Sequence, residues 1–249
     1  MNKTFLWQAL VMPCIAGAAL VALQPGVANA AADDVASLYA PQPPANASFL
    51  RVLNAAAQPA HVTLSGSEAA QTLAPGAATR FSVITQGTPA RVTVDGHVLT
   101  LESIAGGAAA TGNANAANAS TPGDALTIAL AHDAKGWHAT RIDGQYAHID
   151  GLKATLHAFN FAPGCSAKIS VGSDGPTVFE QMNAGAQTSR AINPVSATLV
   201  GQCGAAKSAP LTLPPLAAGD SYSLFVTGDA AKPELIGARD ALAWPPAAH

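Results

Sequence analysis

The segment Arg91-Val92-Thr93-Val94-Asp95-Gly96-His97-Val98-Leu99-Thr100-Leu101 constrains this chain more than any other. Apolar and polar residues alternate before Asp95-Gly96 and, apart from the pair Val98-Leu99, after it, and period-two alternation is what a strand with one buried face requires. Asp-Gly makes a two-residue hairpin turn because both positions tolerate a positive φ. Shorter runs of the same kind recur at residues 49–53, 61–64, 79–84, 126–131, 137–142, 153–159, 168–171, 187–192, 197–200 and 222–227, with Gly, Pro, Asn and Asp between them. Helical periodicity is nearly absent after the first thirty residues. Strands at this spacing without intervening helices predict an all-β chain of two tandem antiparallel β-sandwich domains.

The two halves echo each other. Phe49-Leu50-Arg51-Val52-Leu53-Asn54 matches Thr155-Leu156-His157-Ala158-Phe159-Asn160, and Gly66 and Gly172 keep the same offset of 106. Pro75-Gly76-Ala77-Ala78-Thr79-Arg80 parallels Ala184-Gly185-Ala186-Gln187-Thr188-Ser189-Arg190. Gly123-Asp124 and Gly219-Asp220 each precede a late strand, at an offset that has fallen to 96. The difference is a stretch at 105–121, rich in Ala, Gly and Asn, which has little side chain to pack against its ordering entropy. This repeat predicts an internal duplication. The expected organisation is a leader at 1–30, an extended lead-in at 31–47, and a first sandwich at 48–148 containing the 105–121 loop. A second sandwich at 149–240 and a proline-rich tail at 241–249 complete it.

Residues 1–30 read as a signal peptide: Lys3 gives a positive start, an apolar stretch follows, and Ala28-Asn29-Ala30 is an A-x-A cleavage site. Export to the periplasm is therefore expected. Cleavage removes Cys14 and leaves Cys165 and Cys203, which in an oxidising compartment are expected to form one disulfide. Charged residues are only 11% of the chain, with 12 Lys and Arg against 15 Asp and Glu, and no basic cluster. Nucleic acid is excluded as a partner, because affinity there comes from neutralising phosphates.

Catalytic apparatus is hard to find. Gly219-Asp220-Ser221 resembles the nucleophile block of SGNH-type esterases, but the equivalent Gly123-Asp124-Ala125 keeps the turn and lacks the hydroxyl. A nucleophile also needs a base oriented by a third group, and the only histidine after Ser221 is His249. The histidines at 61, 97, 132, 138, 148, 157 and 249 form no metal-ligand spacing, although His132, His138 and His148 lie on or near adjoining strands. No enzyme activity, cofactor or metal site is expected.

Three segments carry a resemblance. They are Leu38-Tyr39-Ala40-Pro41-Gln42-Pro43-Pro44 leading into Ser48-Phe49-Leu50-Arg51-Val52-Leu53-Asn54-Ala55, then Ser189-Arg190-Ala191-Ile192-Asn193-Pro194-Val195, then Leu224-Phe225-Val226-Thr227-Gly228. In order and spacing they resemble the AlgF family, periplasmic accessory proteins of alginate O-acetylation. Ala40 stands where that family has glycine, and neither the 105–121 stretch nor the cysteine pair belongs to its pattern. The resemblance implies a non-catalytic accessory or scaffold protein. Its implied partners are periplasmic SGNH-type acetyltransferase components and a membrane O-acyltransferase, with the polysaccharide itself a further partner. Tyr39, Arg51, Arg190 and Asn193 lie in the matching motifs and are the partner-binding residues it implies. Asn193 also has a structural reading, bonding local backbone in a turn. Two alternatives remain: a carbohydrate-binding module in acetylation of another exopolysaccharide such as cellulose, and an acetyl esterase or transferase using Ser221.

Overall fold

Every segment expected to be a strand contains one in the computed structural model, which describes residues 42–65, 69–85, 90–100, 105–106, 123–146 and 151–244. The leader, Tyr39, Cys14, His148, most of the 105–121 stretch and residues 245–249 lie outside the described residues. Asp95 and Gly96 have φ of 47° and 83°, the left-handed pair that the tight turn demands.

The first half contributes β1 (Ser48–Asn54), β2 (Ala60–Leu64), β3 (Gln71–Leu73), β4 (Phe81–Ile84), β5 (Arg91–Val94), β6 (His97–Thr100), β7 (Ala105–Gly106), β8 (Asp124–Asp133) and β9 (Gly136–Gln145). The second half contributes β10 (Ala154–Asn160), β11 (Ala167–Val171), β12 (Thr177–Met182), β13 (Gln187–Ile192), β14 (Thr198–Cys203), β15 (Ala206–Lys207), β16 (Leu211–Thr212), β17 (Ser221–Gly228), β18 (Pro233–Arg239) and β19 (Leu242–Ala243). Among the described residues the chain is all-β, without a helix.

Four sheets result. The first runs β19-β4-β1-β8-β9-β7, the second β3-β2-β5-β6, the third β13-β10-β17-β18, and the fourth β12-β11-β14-β15 with β16 beside β14. One core lies between the first and second sheets, where Leu50, Val52, Ile128 and Leu130 meet Val62, Val92 and Val94. Another lies between the third and fourth, where Leu156, Leu224 and Val226 meet Ile169, Phe179 and Leu199. The first and third sheets also pack on each other, through Leu53, Ala129, Ile142, Phe159 and Phe225. That explains why β1 is buried along its whole length, since each of its faces has a sheet against it.

The second and fourth sheets are antiparallel, as expected, whereas the first and third are mixed. β1 lies parallel to β8, and β10 lies parallel to β17, each over six residue pairs. The reason is topological: after the first strand of each half the chain crosses to the opposite sheet, and it returns beside that strand in the same direction. A second departure concerns residues 241–249. Leu242–Ala243 is a strand, paired in parallel with β4, and the Phe81 amide donates to Ala241 O at 2.8 Å. The chain thus ends its described course on the first sheet, with Leu242 and Trp244 packed against Phe49, Phe81 and Val83.

The repeat extends to individual bonds. Asn54 Nδ2 donates to Gln58 O and Leu73 O while its Oδ1 accepts from the Ala56 amide. Asn160 Nδ2 donates to Cys165 O and Met182 O, and its Oδ1 accepts from the Ala162 amide. Both asparagines are fully buried, and each satisfies three main-chain groups where a strand ends. Cys165 and Cys203 are joined by a disulfide, with Cα atoms 5.3 Å apart, inside the core of the second half.

Candidate functional site

Between the first and third sheets lies a charged cluster with almost no access to solvent. Arg51 sits mid-way along β1, where alternation turns it away from the first core toward the third sheet. It is 1% exposed. Its Nε donates to Thr127 Oγ1 of β8 at 3.0 Å, its Nη1 to Asp240 Oδ1 at 2.5 Å, and its Nη2 to Ser223 Oγ of β17 at 2.7 Å. The guanidinium carbon stands 4.3 Å from the Phe81 ring centroid, 4.9 Å from that of Phe225 and 5.0 Å from that of Phe159. Burial pulls the pKa of Arg51 down and Asp240 pushes it back. A guanidinium stays charged throughout, so Asp240 is the counter-ion that makes this position tenable.

Asp240 is itself fully engaged. Its Oδ1 also accepts from Ser223 Oγ at 2.7 Å, its Oδ2 accepts from Ser221 Oγ at 2.7 Å, and His157 Nε2 lies 3.9 Å from Oδ2. A serine, a histidine and a carboxylate therefore do converge here, as ester chemistry would require. Their order is wrong for it. The hydroxyl of Ser221 donates to the carboxylate, and the imidazole lies on the carboxylate rather than between it and the hydroxyl. The adjoining cavity, lined by Tyr146, His157, Gln187 and Ser221 among others, measures about 20 Å³, room for about one water and not for an ester substrate. Neighbouring Asp220 serves the turn: the Ala217 amide first, then Arg239, hold its carboxyl below the usual range.

His157 occupies the place in β10 that Arg51 occupies in β1, 106 residues earlier, and it faces the same cluster. It is 7% exposed. Burial lowers its proton affinity, Asp240 partly restores it, and Arg51 opposes it again. Below a pH of about 6.5 the unfolded chain takes up this proton and the folded chain resists it. Stability should therefore be at its plateau above that pH, fall as pH drops toward the depressed folded value, and flatten beneath it. The slope is at most about 1.4 kcal/mol per pH unit. Urea denaturation from pH 7.5 to pH 4.5 checks this, and His157→Gln should lose the part of the slope that belongs to this group.

The residues implied by the motifs do not come together. Arg51 is internal, so no partner reaches it; the reason is that its strand has a sheet on both faces. Arg190 is exposed on β13, an edge strand of the third sheet, and Nη1 donates to Val178 O of β12 at 3.1 Å. Asn193 is exposed just beyond β13. Tyr39 lies outside the described residues. Among the described residues no three His, Cys, Asp or Glu side chains gather as metal ligands. His138 faces Asp133 at 3.9 Å, and His132 packs on Trp137. Sequence reading missed Asp240, Ser223, Thr127 and His157. The available signal was Arg51 itself, a charge inside the apolar run Phe49-Leu50-Arg51-Val52-Leu53, which demands a buried partner.

A second recess, of about 350 Å³, opens between β12 and β13 and is lined by Val178, Glu180, Gln181, Met182, Thr188 and Arg190 among others.

No family model and no curated protein matches the sequence. Among solved structures the chain is similar to the C-terminal domain of AlgF from P. aeruginosa, at 25% identity and a TM-score of 0.32, over 35% of this chain and 98% of that one. It is also similar to CBMbc, a family CBM26 module of Eubacterium rectale Amy13K solved with maltoheptaose, at 12% identity and a TM-score of 0.26, over 78% of this chain and 97% of that one.

Proposed function

We propose that this protein is a non-catalytic periplasmic accessory component in the O-acetylation of a secreted polysaccharide, alginate, and that it acts by holding the SGNH-type acetyltransferase and the membrane O-acyltransferase of that system. The observation that carries the reading is the ordered set of motifs between residues 38 and 228 that resembles the AlgF family. The geometry agrees with a scaffold. Of the groups that ester transfer would need, Asp240 is spent on Arg51, which fastens the first sheet to the third, and Ser221 and His157 are spent on Asp240. What remains for solvent is surface, edge strands and the recess between β12 and β13.

Direct binding of glycan by an aromatic platform is less well supported. Tyr146 packs on Phe49 and Phe81, Trp137 donates to Asp95 and meets His132 edge to face, Tyr222 belongs to a core, and Trp244 packs behind Leu242 and Phe81. Each of these rings has its face or edge taken, whereas sugar stacking needs exposed faces.

Deleting the gene should leave polymer secreted but with its acetyl content lowered. Acetyl esters on the purified polymer, read by proton NMR, measure this. Complementation with wild type and with Ser221→Ala should restore them equally. Unchanged acetylation in the deletion strain would refute the accessory reading, and a folded Ser221→Ala that fails to restore it would favour the esterase reading.

A further inference from the structure

The repeat supplies its own template for an interaction. In the first half, β4 is an edge strand covered by β19 of the same chain, and all four of its residues are buried. Its equivalent in the second half is β13. The equivalence is fixed by register: Ser48↔Ile84, Phe49↔Val83 and Leu50↔Ser82 in the first half correspond to Ala154↔Ile192, Thr155↔Ala191 and Leu156↔Arg190 in the second. Ser189 therefore stands where Phe81 stands, and Arg190 where Ser82 stands. Among the described residues no strand lies on the outer edge of β13, and Ser189, Arg190 and Ala191 are exposed.

Geometry then fixes which groups point outward. Phe81 N–H leaves the sheet to meet Ala241 O, so the N–H of Ser189 leaves the third sheet in the same direction. Successive outward groups on an edge strand recur every second residue, which adds Gln187 and Ala191. The edge is also unblunted. β13 keeps an unbroken register with β10 over all six residues. β12, the neighbouring edge of the fourth sheet, carries a bulge in which Gln181 takes a φ of 48°, the device that discourages pairing. One edge is protected and the other is not.

We propose that the outer edge of β13 receives an extended segment of the SGNH-type acetyltransferase, added in parallel as β19 is added to β4. The choice of that partner rests on the function proposed above; the edge and its geometry do not. By the template, the residue of the added strand opposite Arg190 replaces Ala243, which pairs with Ser82. Its side chain points toward the fourth sheet, into the 350 Å³ recess. Val178 and Met182 give that recess apolar wall, and Glu180, Gln181 and Arg190 give it a polar rim. The segment it fits is extended, free of proline where it meets Ser189, and carries one apolar side chain for the recess, with small or polar ones against Gln187, Ser189 and Ala191. Main-chain bonds would supply affinity and the recess specificity.

The test uses the full mature chain and the purified SGNH-type acetyltransferase of the same organism's alginate system. Amide hydrogen exchange followed by NMR or mass spectrometry should find the Ser189 and Ala191 amides fast in the protein alone and slowed by about tenfold or more in the mixture. Ser189→Pro removes the outward N–H and no ladder bond, which an edge strand tolerates; it should weaken binding by about tenfold or more. Arg190→Glu, which reverses the charge on the rim and gives up the bond to Val178 O, should weaken it as well, whereas Val98→Ser on the distant hairpin should bind as wild type. Protection of these amides in the isolated protein would overturn the proposal, because the chain itself or a second copy would then cover the edge. Binding that ignores both Ser189→Pro and Arg190→Glu would overturn it and leave the scaffold reading standing. Absence of any binding would overturn it too, while the acetyl content of the deletion strain decides the scaffold reading separately.

Discussion

Asp240→Ala is expected to destabilise the protein by about 3–5 kcal/mol, the cost of stranding a buried charge. The side chain of Arg51 is 2% exposed and that of Asp240 is 4% exposed, so bulk solvent does not replace the lost counter-ion. Without the carboxylate, Arg51 keeps the hydroxyls of Thr127 and Ser223 and the faces of three phenylalanines. Those are neutral partners, and a guanidinium cannot escape by losing its proton. Urea denaturation midpoints of wild type, Asp240→Ala, Arg51→Met and the double variant Arg51→Met/Asp240→Leu measure the effect. The double variant should recover much of the loss, since apolar replacements of similar volume need no counter-charge. The coupling energy from that cycle isolates the pair. A loss below about 1 kcal/mol in Asp240→Ala, the range of an exposed ion pair, would show that the cluster does not hold the sheets together.

Reducing the disulfide should have an effect of similar size. Cys165 and Cys203 are 38 residues apart in sequence, and closing such a loop restricts the unfolded chain by about 4 kcal/mol on the chain-entropy account. The bridge also anchors a hydrogen-bonded corner, since Asn160 Nδ2 donates to Cys165 O while Ala167 of β11 pairs with Cys203 of β14. Thermal unfolding with and without a thiol reductant should differ by about 8–16 °C for a chain of this size. Cys165→Ala/Cys203→Ala should reproduce the shift and become insensitive to reductant. Equal melting temperatures in both conditions would show that the bond contributes nothing to the folded state.

Much of the fold was legible because it is local. The hairpin of β5 and β6 follows from Asp95-Gly96 and the alternation around it, and the asparagines at positions 54 and 160 announce their equivalence by position before their bonds are seen. The strands that sequence reading passed over fail for identifiable reasons. β3 is three residues long, β12 is interrupted by its bulge, and β18 opens on proline and contains Gly237 without alternation. Parallel pairing of β1 with β8 joins residues more than seventy positions apart, and no short-range pattern encodes it. The same holds for the charged cluster. Arg51 and Asp240 are separated by 189 residues, and Asp240 lies in no motif. Read from the chain alone, Arg51 looked like a contact for another protein; its real partner was near the far end of the same chain.

The course of the last described residues has a consequence for how the molecule can be divided. Because β19 belongs to the first sheet although it follows the whole second half, neither half owns everything it needs. A fragment ending near residue 150 would present β4 bare to solvent and Arg51 without its anion. A fragment beginning there would carry Leu242 and Trp244 with no bed to lie in. Asp240 and β19 stitch the end of the described second half back onto the first sheet, so the two similar parts are one joined object rather than two beads on a thread.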